Sequence, residues 1–263
     1  MDNIIYWYSG TGNSLSAARR LAEHLHGETV LLPVTALLYG YEQPAASVYG
    51  FVFPLYGAEA PWPVLKAIKQ LKLPENAYTF AAATCNERGG VALDDLNNFM
   101  MDHGMILSYG RRIDMPGNCL PSSDEENAER LRYEESEVQR IADNVNRRML
   151  SSFHGGNPHM KTVEDRRSSM HRAGLDRWVV NDSCIRCGTC ASLCPMHNIT
   201  LKDGIPQFGN ECGFCFACWH WCPAKALSLA EFPVFSPEGR SQYRHPDISA
   251  DDLREQSEYR KHK

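Results

Sequence analysis

Short apolar runs and segments with a helical period alternate through the first 150 residues of the chain. IIYWY at 4–8 precedes SLSAARRLAEHL, VYGFVF at 48–53 precedes WPVLKAIKQL, YTFAAAT precedes VALDDLNNFMMDHG, and MILSYG follows. Strand-length runs, each followed by an amphipathic segment, predict a parallel α/β unit over residues 1–150. A last helix is predicted from about Asp124 to Leu150, where Leu131, Val138, Ile141, Val145 and Met149 recur near helical spacing among charged neighbours. Acids early in that segment and Arg147 and Arg148 at its end suit the helix dipole.

The pattern changes after residue 150. Residues 151–175 are rich in Ser, Gly, His and basic side chains, with Gly155, Gly156 and Pro158 as breakers, and read as a linker with a solvated charged face. Residues 232–263 read as a polar tail in which Ser249 is placed to cap a short helix through Asp252. Between them, residues 176–231 repeat themselves. A shift of 28 positions lays Cys184, Cys187, Cys190, Cys194 and Pro195 onto Cys212, Cys215, Cys218, Cys222 and Pro223. Ile199 and Leu201 fall on Leu227 and Leu229, which suggests one strand from each repeat pairing around a shared core. Asp203-Gly204 marks a turn between two short extended runs.

Composition narrows the function classes. A chain of 263 residues with 43% hydrophobic and 22% charged residues is long enough to bury two unequal cores. A net charge of -5 and a pI near 6.1 offer no global attraction to nucleic acid or an anionic membrane. MDNIIYWY carries an acid where a secretion signal has bases, and no apolar run approaches the roughly 18 residues of a membrane span. A cytoplasmic protein without membrane insertion is expected.

In a reducing cytoplasm, ten cysteines point to metal or redox chemistry and away from disulfides. Eight of them lie between positions 184 and 222, which leaves Cys85 and Cys119 as core or lining residues with no assigned chemistry. Zinc sites use CxxC pairs closed into a tetrahedron. Here the spacing is C-x2-C-x2-C-x3-C-P, twice, and in that pattern the fourth thiolate serves the other of two iron–sulfur clusters. Residues 176–231 thus resemble the bacterial ferredoxins with two [4Fe-4S] clusters. The resemblance implies that Cys184, Cys187, Cys190 and Cys222 hold one cluster, and Cys212, Cys215, Cys218 and Cys194 the other. Trp219, His220 and Trp221, between the last two ligands, read as shielding and interface residues, since the cysteine set is complete without His220.

A second candidate site follows the first strand. SGTGNSLS, Ser9 to Ser16, opens a helical segment. A nucleoside triphosphate loop would need GxxxxGK[ST], and a dinucleotide fingerprint a glycine where Leu15 stands, so both fail. Backbone amides, hydroxyls and an asparagine remain, a donor set suited to a terminal monophosphate. The stretch resembles the phosphate loop of the flavodoxins. That resemblance implies FMN on Ser9, Gly10, Thr11, Gly12, Asn13 and Ser14, and a doubly wound sheet of strand order 2-1-3-4-5 with the flavin at its switch point. Tyr56 and Gly57, in PLYGAEAPWP, stand where flavodoxins stack a residue on the flavin, while Trp62 reads as a helix-start residue. Asn86, Gly89 and Gly90, in TCNERGG, offer backbone to the ring edge, and without an aromatic there the second flavin face is open to a substrate or to the ferredoxin half.

A flavodoxin-like unit, a linker and a two-cluster ferredoxin unit resemble, in that order, the flavodoxin–ferredoxin fusions known as EFR-type ferredoxins. MPGNCLP at 115–121 and YRHPDIS at 243–249 also resemble that family's segments, the first reading simply as a loop after strand five. The resemblance implies an electron-transfer protein in which FMN and two [4Fe-4S] clusters convert between one- and two-electron steps. Its redox partners would be proteins or a small-molecule acceptor. The alternatives are an FMN-dependent reductase of a quinone, enone or nitro compound, and a binding module with structural clusters. The oligomeric state is not legible.

Overall fold

The computed structural model describes residues 1–86, 90–119, 122–156, 162–229, 231–232 and 241–260. Its first half is a flavodoxin-like α/β layer structure. Strands β1 (Asn3–Trp7), β2 (Thr29–Pro33), β3 (Val48–Pro54), β4 (Tyr78–Cys85) and β5 (Tyr109–Asp114) pair in parallel in the order β2-β1-β3-β4-β5. Strands covered on both faces must be apolar at every position. Ile4, Ile5, Tyr6, Trp7 and Tyr8 accordingly show at most 1% of their surface. The crossover helices are α1 (Asn13–His24), α2 (Val34–Leu38), α3 (Trp62–Ile68) and α4 (Ala92–Met101), and α5 (Asp124–Asn146) follows β5. Helix α1 packs on α5, and α2 on α3. Ser123 and Glu126 form a capping box on α5, which ends at Asn146, four residues before the predicted limit.

The predicted linker contains a helix, α6 (Val163–Arg172), set by a Thr162–Asp165 capping box. Its basic residues are used, contrary to the expected solvated face: Arg166 is 5% exposed and ion-paired to Glu59 at 3.0 Å. Arg167 lies over the Trp62 ring and pairs with Glu211 at 2.6 Å, tying the two halves of the chain together. Pro158 lies outside the described residues.

The cysteine-rich segment carries β6 (Trp178–Val180), α7 (Thr189–Ser192), β7 (Ile199–Lys202), β8 (Ile205–Phe208), α8 (Ala217–His220) and β9 (Leu227–Leu229). The expected pairing of the two repeat-equivalent strands does not occur. β7 pairs with β8 through the Asp203-Gly204 turn, both of whose residues have positive φ, and β9 pairs with β6. The 28-residue shift aligns equivalent strands, whereas each strand finds its partner across the pseudo-symmetry, the one preceding a cysteine set against the one following a set.

Residues 241–260 are no loose tail. Helix α9 (Ala250–Glu258), capped by Ser249 and Asp252 as expected, packs beside α2, and Gln256 and Leu253 are fully buried. Among the described residues no helix is long and apolar enough to cross a membrane.

Candidate functional site

The repeat in sequence is also a repeat in backbone conformation. Arg186, Gly188 and His197 have φ of 58°, 73° and 49°; Phe214, Phe216 and Lys225, 28 positions on, have 55°, 56° and 50°. Left-handed residues between and after the cysteines curl each CxxCxxC stretch around a hollow, the geometry that successive amides use to enclose an anion. α7 and α8 then carry the chain from one hollow to the other, four residues advancing about 6 Å along a helix axis.

Two small, apolar-walled cavities result. One is lined by Cys184, Cys187, Cys190 and Cys222. The other is lined by Cys194, Cys212, Cys215 and Cys218. Each set takes its fourth thiol from the other repeat. Four thiols around each cavity, each set drawn from both repeats, are the donor chemistry of a cubane cluster.

Electrostatics separate the two sets from solvent to different degrees. Cys187 is exposed, and its thiol is shifted down by the Thr189 hydroxyl, 3.3 Å away. Burial pushes Cys190 up to about 11 and Cys194 to about 12, and raises Cys212, Cys215 and Cys218 as well. Buried thiols remain neutral unless positive charge sits among them, so iron loading must expel protons. Backbone N–H groups donate to sulfur from Asn198 to Cys194 (3.3 Å), Phe214 to Cys212 (3.4 Å) and Ala226 to Cys222 (3.3 Å).

The second cavity sits on the C-terminal edge of the parallel sheet. Three side chains of the α/β half donate to carbonyls of the cysteine loop: Trp62 Nε1 to Cys212 (2.9 Å), Tyr8 Oη to Gly213 (3.3 Å) and Asn118 Nδ2 to Cys215 (2.9 Å). In return, Trp221 Nε1 donates to Gly10 O at 2.9 Å. His220 is fully buried; its Nδ1 accepts from the Tyr243 amide, so Nε2–H donates to Asn118 O, and the ring is a neutral interface group. Trp219 instead packs in the small core with Phe216, Leu227 and Leu229.

Both segments left unexplained by sequence reasoning act here. Asn118 of MPGNCLP holds the Cys215 loop, and Pro116 O accepts from Asn13 Nδ2 at 2.8 Å; Leu120 and Pro121 lie outside the described residues. From YRHPDIS, Tyr243 donates to Asn13 Oδ1 (2.8 Å), and buried His245 donates from Nε2 to Glu134 (3.0 Å) while its amide bonds Thr11 O (2.9 Å). Cys119 is exposed, not in the core. Cys85 lines a groove along the β5 edge, and burial pushes its thiol up to about 11.

The residues expected to hold FMN are brought together only in part. No side chain caps α1, and Gly12 at its N-cap has φ 102°, as a helix start built for an anion would. Yet the space above is filled by the chain. Ser9, Thr11, Asn13 and Ser14 are 1–5% exposed, and a Cβ on Gly10 would fall 2.0 Å from Cys215 O. Tyr56, the expected stacking residue, lies beside the cysteines: burial, then Cys215, raises its phenol well above the usual range. Gly57 and Gly90 occupy turns with positive φ, Asn86 a bend, and Gly89 lies outside the described residues. In this docked arrangement Cys215, His245 and Ile248 stand over Gly10 and Gly12.

Helix α9 starts on a titratable cap. Hydrogen bonds from Ser249, then from Arg19, hold the Asp252 carboxyl down at about 2, against an ordinary 3.8. A depressed folded pKa stabilises above the unfolded value and is lost as pH falls through the folded one. Protection of the amides across 241–260, relative to their intrinsic exchange rates at each pH, should therefore fall between about pH 4 and pH 2, and this step should be absent in Asp252→Asn.

Residues 178–200 match the family described as "4Fe-4S binding domain", a span that contains the first four cysteines of the repeat and supports at least one [4Fe-4S] cluster. A polyferredoxin-like protein of Methanocaldococcus jannaschii is 27% identical over 89 residues, 28% of this chain. The chain spans about half (53%) of that relative's length. Among solved structures, rubredoxin oxygen:oxidoreductase from Desulfovibrio gigas aligns at TM-score 0.41 and 17% identity over 56% of this chain and 35% of its own. An FMN-dependent NADH-azoreductase from Bacillus anthracis, in complex with FMN, aligns at TM-score 0.39 and 11% identity over 56% of this chain and all of its own.

Proposed function

We propose that this chain is an electron-transfer protein that holds two [4Fe-4S] clusters, one in each four-cysteine cavity, with the second docked on the sheet edge. The observation that carries the reading is the sorting of eight thiols into two enclosed sets, each completed by the other repeat. The 4Fe-4S family match over 178–200 supports it.

When bound, such clusters supply storage of one electron each at low energetic cost of rearrangement. The residues divide the rest of the task. At the first cavity Cys187 and Ile185 are exposed, which gives an external redox protein a contact within reach of the ligands. At the second, Cys215 is 8% exposed, and Tyr8, Trp62 and Trp221 exclude water. Sulfur-directed amides compensate negative charge at both. Clusters held in the two cavities would supply single-electron transfer from the exposed rim, and α7 and α8 carry the ligands that join the two sets.

Both the one-to-two-electron converter and the small-molecule reductase need FMN on Ser9–Ser14, so they apply only to a chain in which that loop is uncovered. An anaerobic reductive titration of the iron-loaded protein tests the proposal. Uptake of about two electrons per chain in an iron–sulfur spectrum is expected; an iron-loaded chain that takes up none would defeat it.

A further inference from the structure

The carbonyls of Ser9, Gly10 and Thr11 and the Asn13 side chain in the Ser9–Ser14 loop have intramolecular partners. Gln256, fully buried, clasps Ser9 twice: Ser9 N–H donates to Oε1 and Nε2 donates to Ser9 O, both at 2.9 Å. His245 N–H bonds Thr11 O, Tyr243 bonds Asn13, and Trp221 bonds Gly10 O. Sterics say the same. The Gly10 face meets the Cys215 carbonyl, and a Cβ on Gly12 would fall 2.9 Å from Ile248 and 3.0 Å from His245.

Nothing here is generic surface packing. A glutamine amide that satisfies both polar groups of one buried residue is a specific latch, because a mismatched side chain would leave those groups unpaired. The same loop keeps the uncapped helix start and the hydroxyls that suit a monophosphate. These partners and a monophosphate thus need the same space over Gly10 and Gly12.

We infer that residues 243–256, with the Trp221 and Cys215 turn, form an internal strap that competes with FMN for the Ser9–Ser14 loop, so that the docked chain is flavin-free and flavin binds only after the strap leaves. The inference rests on the loop being an anion site and not on the reading of the cysteines, so iron content separates a failure of one from a failure of the other. Apparent affinity falls by the fraction of chains with the strap released, and each hydrogen bond removed from the strap raises that fraction several-fold.

The test uses the full, iron-loaded chain, with FMN added anaerobically and binding followed by quenching of flavin fluorescence. Amide exchange is read across 243–256. Gln256→Ala combined with Tyr243→Phe should bind FMN roughly tenfold or more tighter than the native chain. In the native chain, FMN near saturation should accelerate exchange of residues 243–256. Trp221→Phe, which deletes one donor and keeps an aromatic ring, should shift affinity in the same direction and serves if the double variant folds poorly. Equal affinities with an unchanged strap would overturn the inference. So would an absence of FMN binding in every variant, since release of the strap would then have uncovered no flavin site.

Discussion

Cys194→Ala is expected to empty the cavity lined by Cys212, Cys215 and Cys218 and to leave the one lined by Cys184, Cys187, Cys190 and Cys222 filled. Cys194 follows Cys190 by one helical turn, so a reading by proximity in sequence assigns the loss to the wrong set. The structure seats it across the repeat, where burial and the neighbouring Cys215 raise its thiol. Iron per chain should fall from about eight to about four. The remaining signal should belong to the more exposed site, and its quenching by a soluble oxidant should be fast. Cys222→Ala should give the mirror result, with the protected site surviving. If Cys194→Ala instead spared the buried signal, the crossed ligation would be wrong.

The second large effect is expected at Gly10. A methyl group there would lie 2.0 Å from the Cys215 carbonyl oxygen, against backbone that cannot rotate away. Gly10→Ala must therefore push the cysteine loop off the sheet edge, stretching the bonds from Trp221 to Gly10 and from Asn118 to Cys215. Overpacking of this kind costs about 1–3 kcal/mol, and each broken buried hydrogen bond adds about 1 kcal/mol. The melting temperature should drop by several degrees, and oxygen should bleach the second site faster, while iron content as prepared stays unchanged. Native-like melting and bleaching in Gly10→Ala would mean that the halves do not dock through this contact.

Much of this arrangement is legible in the residues, for identifiable reasons. Continuous apolar runs such as IIYWY can only be strands buried on both faces, so the parallel sheet and its order follow from periodicity and a loop resemblance. Thiol spacing survives because ligation constrains it directly. The Ser249 cap and the Asp203-Gly204 turn are local chemistry, legible in a few consecutive residues.

What escaped was long-range and polar. Asn118 and Gln256 act through carbonyls about 100 and 250 positions away, and no period or spacing marks such partners. α6 has a mean composition too charged to look buried, yet Arg166 is sequestered by its pair with Glu59. The pairing of β6 with β9 was hidden by the repeat itself, which draws attention to equivalent strands. Most consequential is the phosphate loop. Its residues resemble those of a flavin site, and only the three-dimensional placement of Gln256, Tyr243 and Trp221 shows that the chain itself bonds to that loop.

The central claim is that the eight thiols hold two separate cubane clusters. Iron and acid-labile sulfide counted per chain, after anaerobic reconstitution and desalting, address it most directly. About eight of each are predicted; about four of each, or one to two zinc ions with no sulfide, would contradict it.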